Sequence, residues 1–94
     1  MDEGTATARS LLEHVLDLVE YARPGDASLS QARKLIAEAG IPTKMHVGIR
    51  PEDFTEKMVY EWVLGSLADI IDKEGWLAMN SLINVGRYRL ETPL

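Results

Sequence analysis

Cysteine is absent from the 94 residues, and histidine occurs only twice, as His14 and His46. The first absence excludes a disulfide framework and a thiolate metal site. The second leaves two imidazoles for metal binding or proton transfer. No run approaches the ~18 consecutive apolar residues that a membrane-spanning helix needs. The opening MDEGTATARS lacks the basic stretch of a secretory signal, so the expected location is cytoplasmic. No phosphate-binding loop, internal repeat or long low-complexity segment is present. The chain therefore reads as non-enzymatic, with no cofactor and no metal.

Basic residues are also in short supply. Ten Lys and Arg face 15 Asp and Glu, for a net charge of −5. Residues 51–76 hold seven acids against Lys57 and Lys73, which accounts for the whole surplus. A domain of this charge lacks the basic face that phosphate recognition normally requires.

What the sequence does contain is helical periodicity at the length of one domain. In residues 6–22, Ala8, Leu11, Leu12, Val15, Leu16, Leu18, Val19 and Ala22 share one wide arc, with Arg9, Glu13, Asp17 and Glu20 opposite. Pro24-Gly25 ends that pattern. SLSQ at 28–31 reads as a capping box for a second helix over 29–39. Gly40 is placed to stop it in left-handed geometry, with Ile41 packing back on Ile36. DFTE at 53–56 reads as another capping box, opening a helix over 54–73. Gly75 is the expected left-handed stop, with Trp76 returning to Ile71. A fourth helix is expected over 76–90. The predicted fold is thus a small all-α bundle of four helices, with an extended connector at 41–52. The alternative is an α+β arrangement in which 43–49 and 83–90 pair as two strands.

The third helix projects two apolar sides. Val59, Tyr60, Val63, Leu64, Leu67, Ile70 and Ile71 fall in one arc of ordinary core width. Phe54, Met58 and Trp62 step along the opposite side and give way to Glu61, Asp69 and Asp72. A sandwiched helix explains such a stripe as a second core face. A solvent-facing stripe explains it as a docking site, because Phe, Met and Trp are enriched at interface cores. The candidate partner-binding residues are therefore Phe54, Met58 and Trp62 with Glu61, Asp69 and Asp72 as an acidic rim.

Other constellations carry less. His14, Asp17 and Glu20 offer two ligands on a shared face, where a metal takes three or four. His46 and Arg50 lack a neighbouring nucleophile. Residues 28–50, with Arg33, Lys34, Lys44 and Arg50, suggest a helix-turn-helix, but TKMHVGIRP is a poor second helix. The stretch AEAGIPTKMHVGIRPEDF resembles the helix–GIPT–GI connection in the C-terminal helical domain of iron-dependent alcohol dehydrogenases. The likeness spans residues 37–54 and brings none of that family's metal or cofactor residues, so it implies only a shared way of ending a helix.

The expected function is a non-catalytic acidic module that binds another protein, or a second copy of itself. Its sharper form is a small inhibitor that caps a basic, nucleic-acid-binding surface of its target. The alternatives are a helical accessory subunit of an enzyme and a DNA-binding regulator using residues 28–50.

Overall fold

The computed structural model of the chain describes residues 2–43 and 51–93. Among them are four α-helices and no strand: α1 (Glu3–Val19), α2 (Ala27–Glu38), α3 (Glu56–Lys73) and α4 (Trp76–Glu91). A 3₁₀ turn, Pro51–Asp53, precedes α3. The all-α expectation holds. The two-stranded alternative does not, because residues 83–90 lie inside α4; residues 44–49 of its other strand lie outside the described residues. The expected extended connector is corrected at its end, where Pro51–Asp53 coils into the 3₁₀ turn.

Each helix begins where a side chain or backbone group meets its unpaired first-turn amides. Asp2 caps α1: the Thr5 amide donates to Asp2 Oδ1 at 2.7 Å. That cap starts the helix at Glu3, ahead of the expected residue 6. Helix α2 starts after Asp26 rather than at a Ser28 box. The Asp26 carboxylate turns back to accept from the Arg23 amide at 2.8 Å, which tightens the Pro24-Gly25 turn, and Ser28 falls within the first helical turn. Helix α3 is capped by Thr55, whose hydroxyl accepts from the Met58 amide at 3.2 Å. Asp53 is already used in the 3₁₀ turn, so the expected Asp53 box is not formed.

Two helix stops show the same hydrogen-bond pattern with different residues in the left-handed position. At the end of α2, Gly40 has φ 72°. The Ile41 amide donates to Ile36 and the Gly40 amide to Ala37, which is the Schellman arrangement. At the end of α3, Glu74 takes the left-handed conformation, with φ 56°. The Gly75 amide then donates to Ile70 and the Glu74 amide to Ile71. Gly75 was the expected left-handed residue; instead it has negative φ and is the N-cap of α4. The link between α3 and α4 is thereby reduced to Glu74 and Gly75.

Helices α1 and α3 form the centre, each packed against the other and against both α2 and α4. The core brings together Leu12 and Leu16 of α1, Ile36 of α2, Leu64 and Leu67 of α3, and Ile83 of α4. Gly86 lies where α4 comes closest: a methyl group there would sit 3.0 Å from Leu16 Cδ1 and 3.4 Å from Val63 Cγ1. Glycine weakens a helix intrinsically, but here its missing side chain permits the approach.

Three arginines fasten the helices from outside. Arg9 of α1 donates to the Tyr60 hydroxyl of α3 and the Leu90 carbonyl of α4. Arg33 of α2 pairs through Nε with both carboxylate oxygens of Asp72 on α3, at 3.0 and 3.1 Å. Arg87 of α4 donates to Asp17 of α1 and to Glu20, the C-cap of α1, each at 2.8 Å. Those bonds, to Asp17 first and then Glu20, raise the pKa of the Arg87 guanidinium further above its ordinary value.

Candidate functional site

The third helix is wider in its burial than an ideal projection suggests. Tyr60, Val63, Leu64, Gly65, Leu67 and Ala68 are buried, because three neighbouring helices surround α3. Val59, Ile70 and Ile71, expected in the core arc, are only half-buried. Trp62 is 40% exposed. It is therefore neither a second core face nor a freely solvated ring.

Trp62 forms one wall of a groove between α3 and α4 of about 270 Å³, lined by Phe54, Val59, Trp62, Val85 and Arg89. The antiparallel course of the two helices brings the first turns of α3 alongside the last turns of α4. Phe54 and Val59 share this groove for a local reason. With Thr55 as the cap, Phe54 occupies the position before it and Val59 the fourth helical position, the pairing of a hydrophobic staple. Phe54 therefore precedes the helix, and its projection onto the face opposite Val59 does not apply. Met58 is half-buried and is not part of the groove lining.

The acidic residues divide. Asp72 faces α2 and holds Arg33, away from the groove. Asp69 pairs with Lys73 one turn further along α3, at 2.9 Å. Glu61 is half-buried beside Trp62 in sequence, and no ion pair involves it among the described residues. The structure thus joins Phe54 and Trp62 in one groove, with Glu61 the acid adjacent in sequence, and separates Asp72 from them.

Two lining residues come from α4, and the α3 stripe gave no hint of them. Val85 is 38% exposed. Arg89 stacks near Tyr88, its guanidinium carbon 5.4 Å from the ring centroid, and has no carboxylate partner among the described residues. A signal was present in the sequence: residues 76–86 contain no charged residue, although their solvent face belongs to a chain that is 27% charged.

The remaining candidates are accounted for by neighbours. Asp17 and Glu20 are held by Arg87, and His14 stands exposed on α1. No group of three His, Asp or Glu among the described residues is arranged to hold a metal ion. Of the basic residues in 28–50, Arg33 is engaged by Asp72 and Lys34 lies 3.8 Å from Glu38; His46, Lys44 and Arg50 lie outside the described residues. Among the described residues, no helix is long and apolar enough to cross a membrane. A second hollow, of about 210 Å³, lies between the α1–α2 turn, the end of α3 and the start of α4, with Leu29, Ile71 and Trp76 in its walls. No protein-family model matches the chain, and no curated protein sequence and no solved structure matches it either.

Proposed function

We propose that the chain is a non-catalytic, acidic interaction module that receives an apolar side chain of a protein partner in the α3–α4 groove. The observation that carries this reading is Trp62, 40% exposed in the middle of a central helix and adjoining Val59 and Val85 in an apolar groove. Leaving such a ring in water forgoes part of the roughly 1.5–3 kcal/mol that its full burial contributes. Aromatic side chains flanked by arginine are the residue types that dominate interface energetics. Arg89 lines the groove and supplies a positive charge there, which suits an acidic group beside the partner's apolar side chain.

The inhibitor form of this reading, with acids standing in for phosphates, draws its support from Glu61 and from Asp53 and Glu56 at the start of α3. Asp69 and Asp72 support it less, since both already hold cations of the same chain. An accessory-subunit role uses the same groove and differs in whether the captured enzyme stays active.

The test is capture from host lysate with the intact chain, Trp62→Ala and Tyr21→Ala. Tyr21 is 87% exposed and distant from the groove in sequence, so it controls for loss of an exposed ring. The expected result is a stoichiometric partner that survives Tyr21→Ala and is lost with Trp62→Ala. Equal capture by all three proteins rules the groove out. Assay of the captured partner then separates a silenced target from an active enzyme.

A further inference from the structure

We infer that the occupant of the α3–α4 groove is Leu77 of a second copy of this chain, in a twofold pair formed by α4 against α4. This inference rests on the reading of the groove as a protein-binding surface, and it names the partner.

Three observations converge on α4. Leu77 is 91% exposed, a whole aliphatic side chain projecting from the first turn of the helix. On the same face lie Ser81, Val85 and Tyr88, all exposed, at the three- and four-residue spacing that places them in one stripe. The flanking Asn80 and Asn84 are exposed too and carry no charge. A chain with net charge −5 repels its own copies wherever acids face acids. The α4 face, uncharged from 76 to 86, escapes that penalty.

The geometry is self-complementary, as a twofold interface requires. In an antiparallel pair centred on Ser81, residues equally far on either side stand opposite one another. Leu77 then faces the partner's Val85, which lines the groove, and the exchange is reciprocal. A cavity of about 150 Å³ with apolar walls is enough to admit benzene, and this groove of about 270 Å³ is open to receive a leucine. The small Ser81 side chain lets the helices approach at the centre.

The α4 helix of 16 residues is about 24 Å long, so the buried area belongs to the smaller class of interfaces. Association is therefore measured by sedimentation equilibrium up to about 1 mM chain, where even a ~4 kcal/mol interaction registers. The expected mass approaches twice the 10.5 kDa of the chain. Leu77→Glu and Trp62→Ala each weaken the dimer by at least about tenfold, while Tyr21→Glu leaves it intact. Leu77→Ser serves as a second variant should the charged one perturb the fold. In a Trp76→Phe background, Trp62 emission shifts to the blue as concentration rises. A wild-type chain that stays monomeric overturns the inference, as does a dimer indifferent to Leu77→Glu and Leu77→Ser. A monomer that still captures a different protein in a Trp62-dependent way overturns the self-pairing alone and leaves the groove reading standing.

Discussion

Arg9 and Leu90, 81 positions apart in the chain, meet through a 2.7 Å hydrogen bond from the guanidinium of α1 to the last-turn carbonyl of α4. The same guanidinium donates to the Tyr60 hydroxyl at 3.0 Å and lies 3.4 Å from Glu13. One cation thus joins three helices and satisfies a carbonyl that the end of α4 leaves without an intrahelical partner. The ring of Tyr60 adds little as a cation–π acceptor, since its centroid is 6.0 Å from the guanidinium carbon, at the outer limit for that attraction.

Removal of Arg9 is accordingly expected to cost more than a surface arginine. Arg9→Ala strips the buried Tyr60 hydroxyl and the Leu90 carbonyl of a charged donor, a loss of about 2–3 kcal/mol. Tyr60→Phe costs less than about 1 kcal/mol, because Arg9 keeps Leu90 and Glu13. Urea unfolding of both variants measures the difference. Equal, small effects would show the clasp to be inconsequential.

The cap of α1 carries a pH signature. Hydrogen bonding from the Thr5 backbone, then from the Thr5 side chain, holds the Asp2 carboxyl below its ordinary pKa. A carboxyl whose pKa is lower in the folded state stabilises the fold above its unfolded pKa. That contribution disappears as pH falls through the lower, folded value. Asp2→Ala should therefore reduce the melting temperature at neutral pH, with the gap to wild type closing in strong acid. Thermal unfolding followed by circular dichroism across that range reads it directly; a gap independent of pH would remove the charged cap from the account.

At the turn between α3 and α4, Glu74→Gly should stabilise the monomer by about 0.5–1 kcal/mol. The left-handed conformation costs an ordinary residue roughly 1–2 kcal/mol, and part of the relief is returned as extra freedom of the unfolded chain. The measurement is unfolding at low micromolar concentration, where pairing between copies does not contribute. Destabilisation would mean that the Glu74 side chain makes a contact worth more than the strain.

The elements that could be read from the sequence were those set by local chemistry. Amphipathic spacing located all four helices, and Gly40 with Ile41 marked the end of α2 down to its hydrogen bonds. Three of the misplaced boundaries occur where two competent residues lie within two positions of each other: Asp26 and Ser28, Asp53 and Thr55, Glu74 and Gly75; the start of α1 is set instead by the Asp2 cap, ahead of the apolar pattern. Local preference does not choose between such neighbours. The turn each must complete chooses, as when Gly75 becomes the cap of the next helix. The candidate site was half legible for the same reason. Phe54 and Trp62 were identifiable on their own segment, while Val85 and Arg89 join them only through the antiparallel packing of α4. Asp72 looked like surface acid because its cation, Arg33, comes from a helix 39 residues away.

Gly86 gives the groove a dependence on the interior. It sits on the inner side of α4, against Leu16 and Val63, one residue after Val85, which lines the groove on the outer side. The depth to which α4 seats itself at Gly86 therefore sets how far Val85 stands from Trp62. A side chain at position 86 would act as a wedge behind the helix, with the two-residue Glu74-Gly75 link as its pivot. It would change the aperture of a surface groove without altering any residue that lines it.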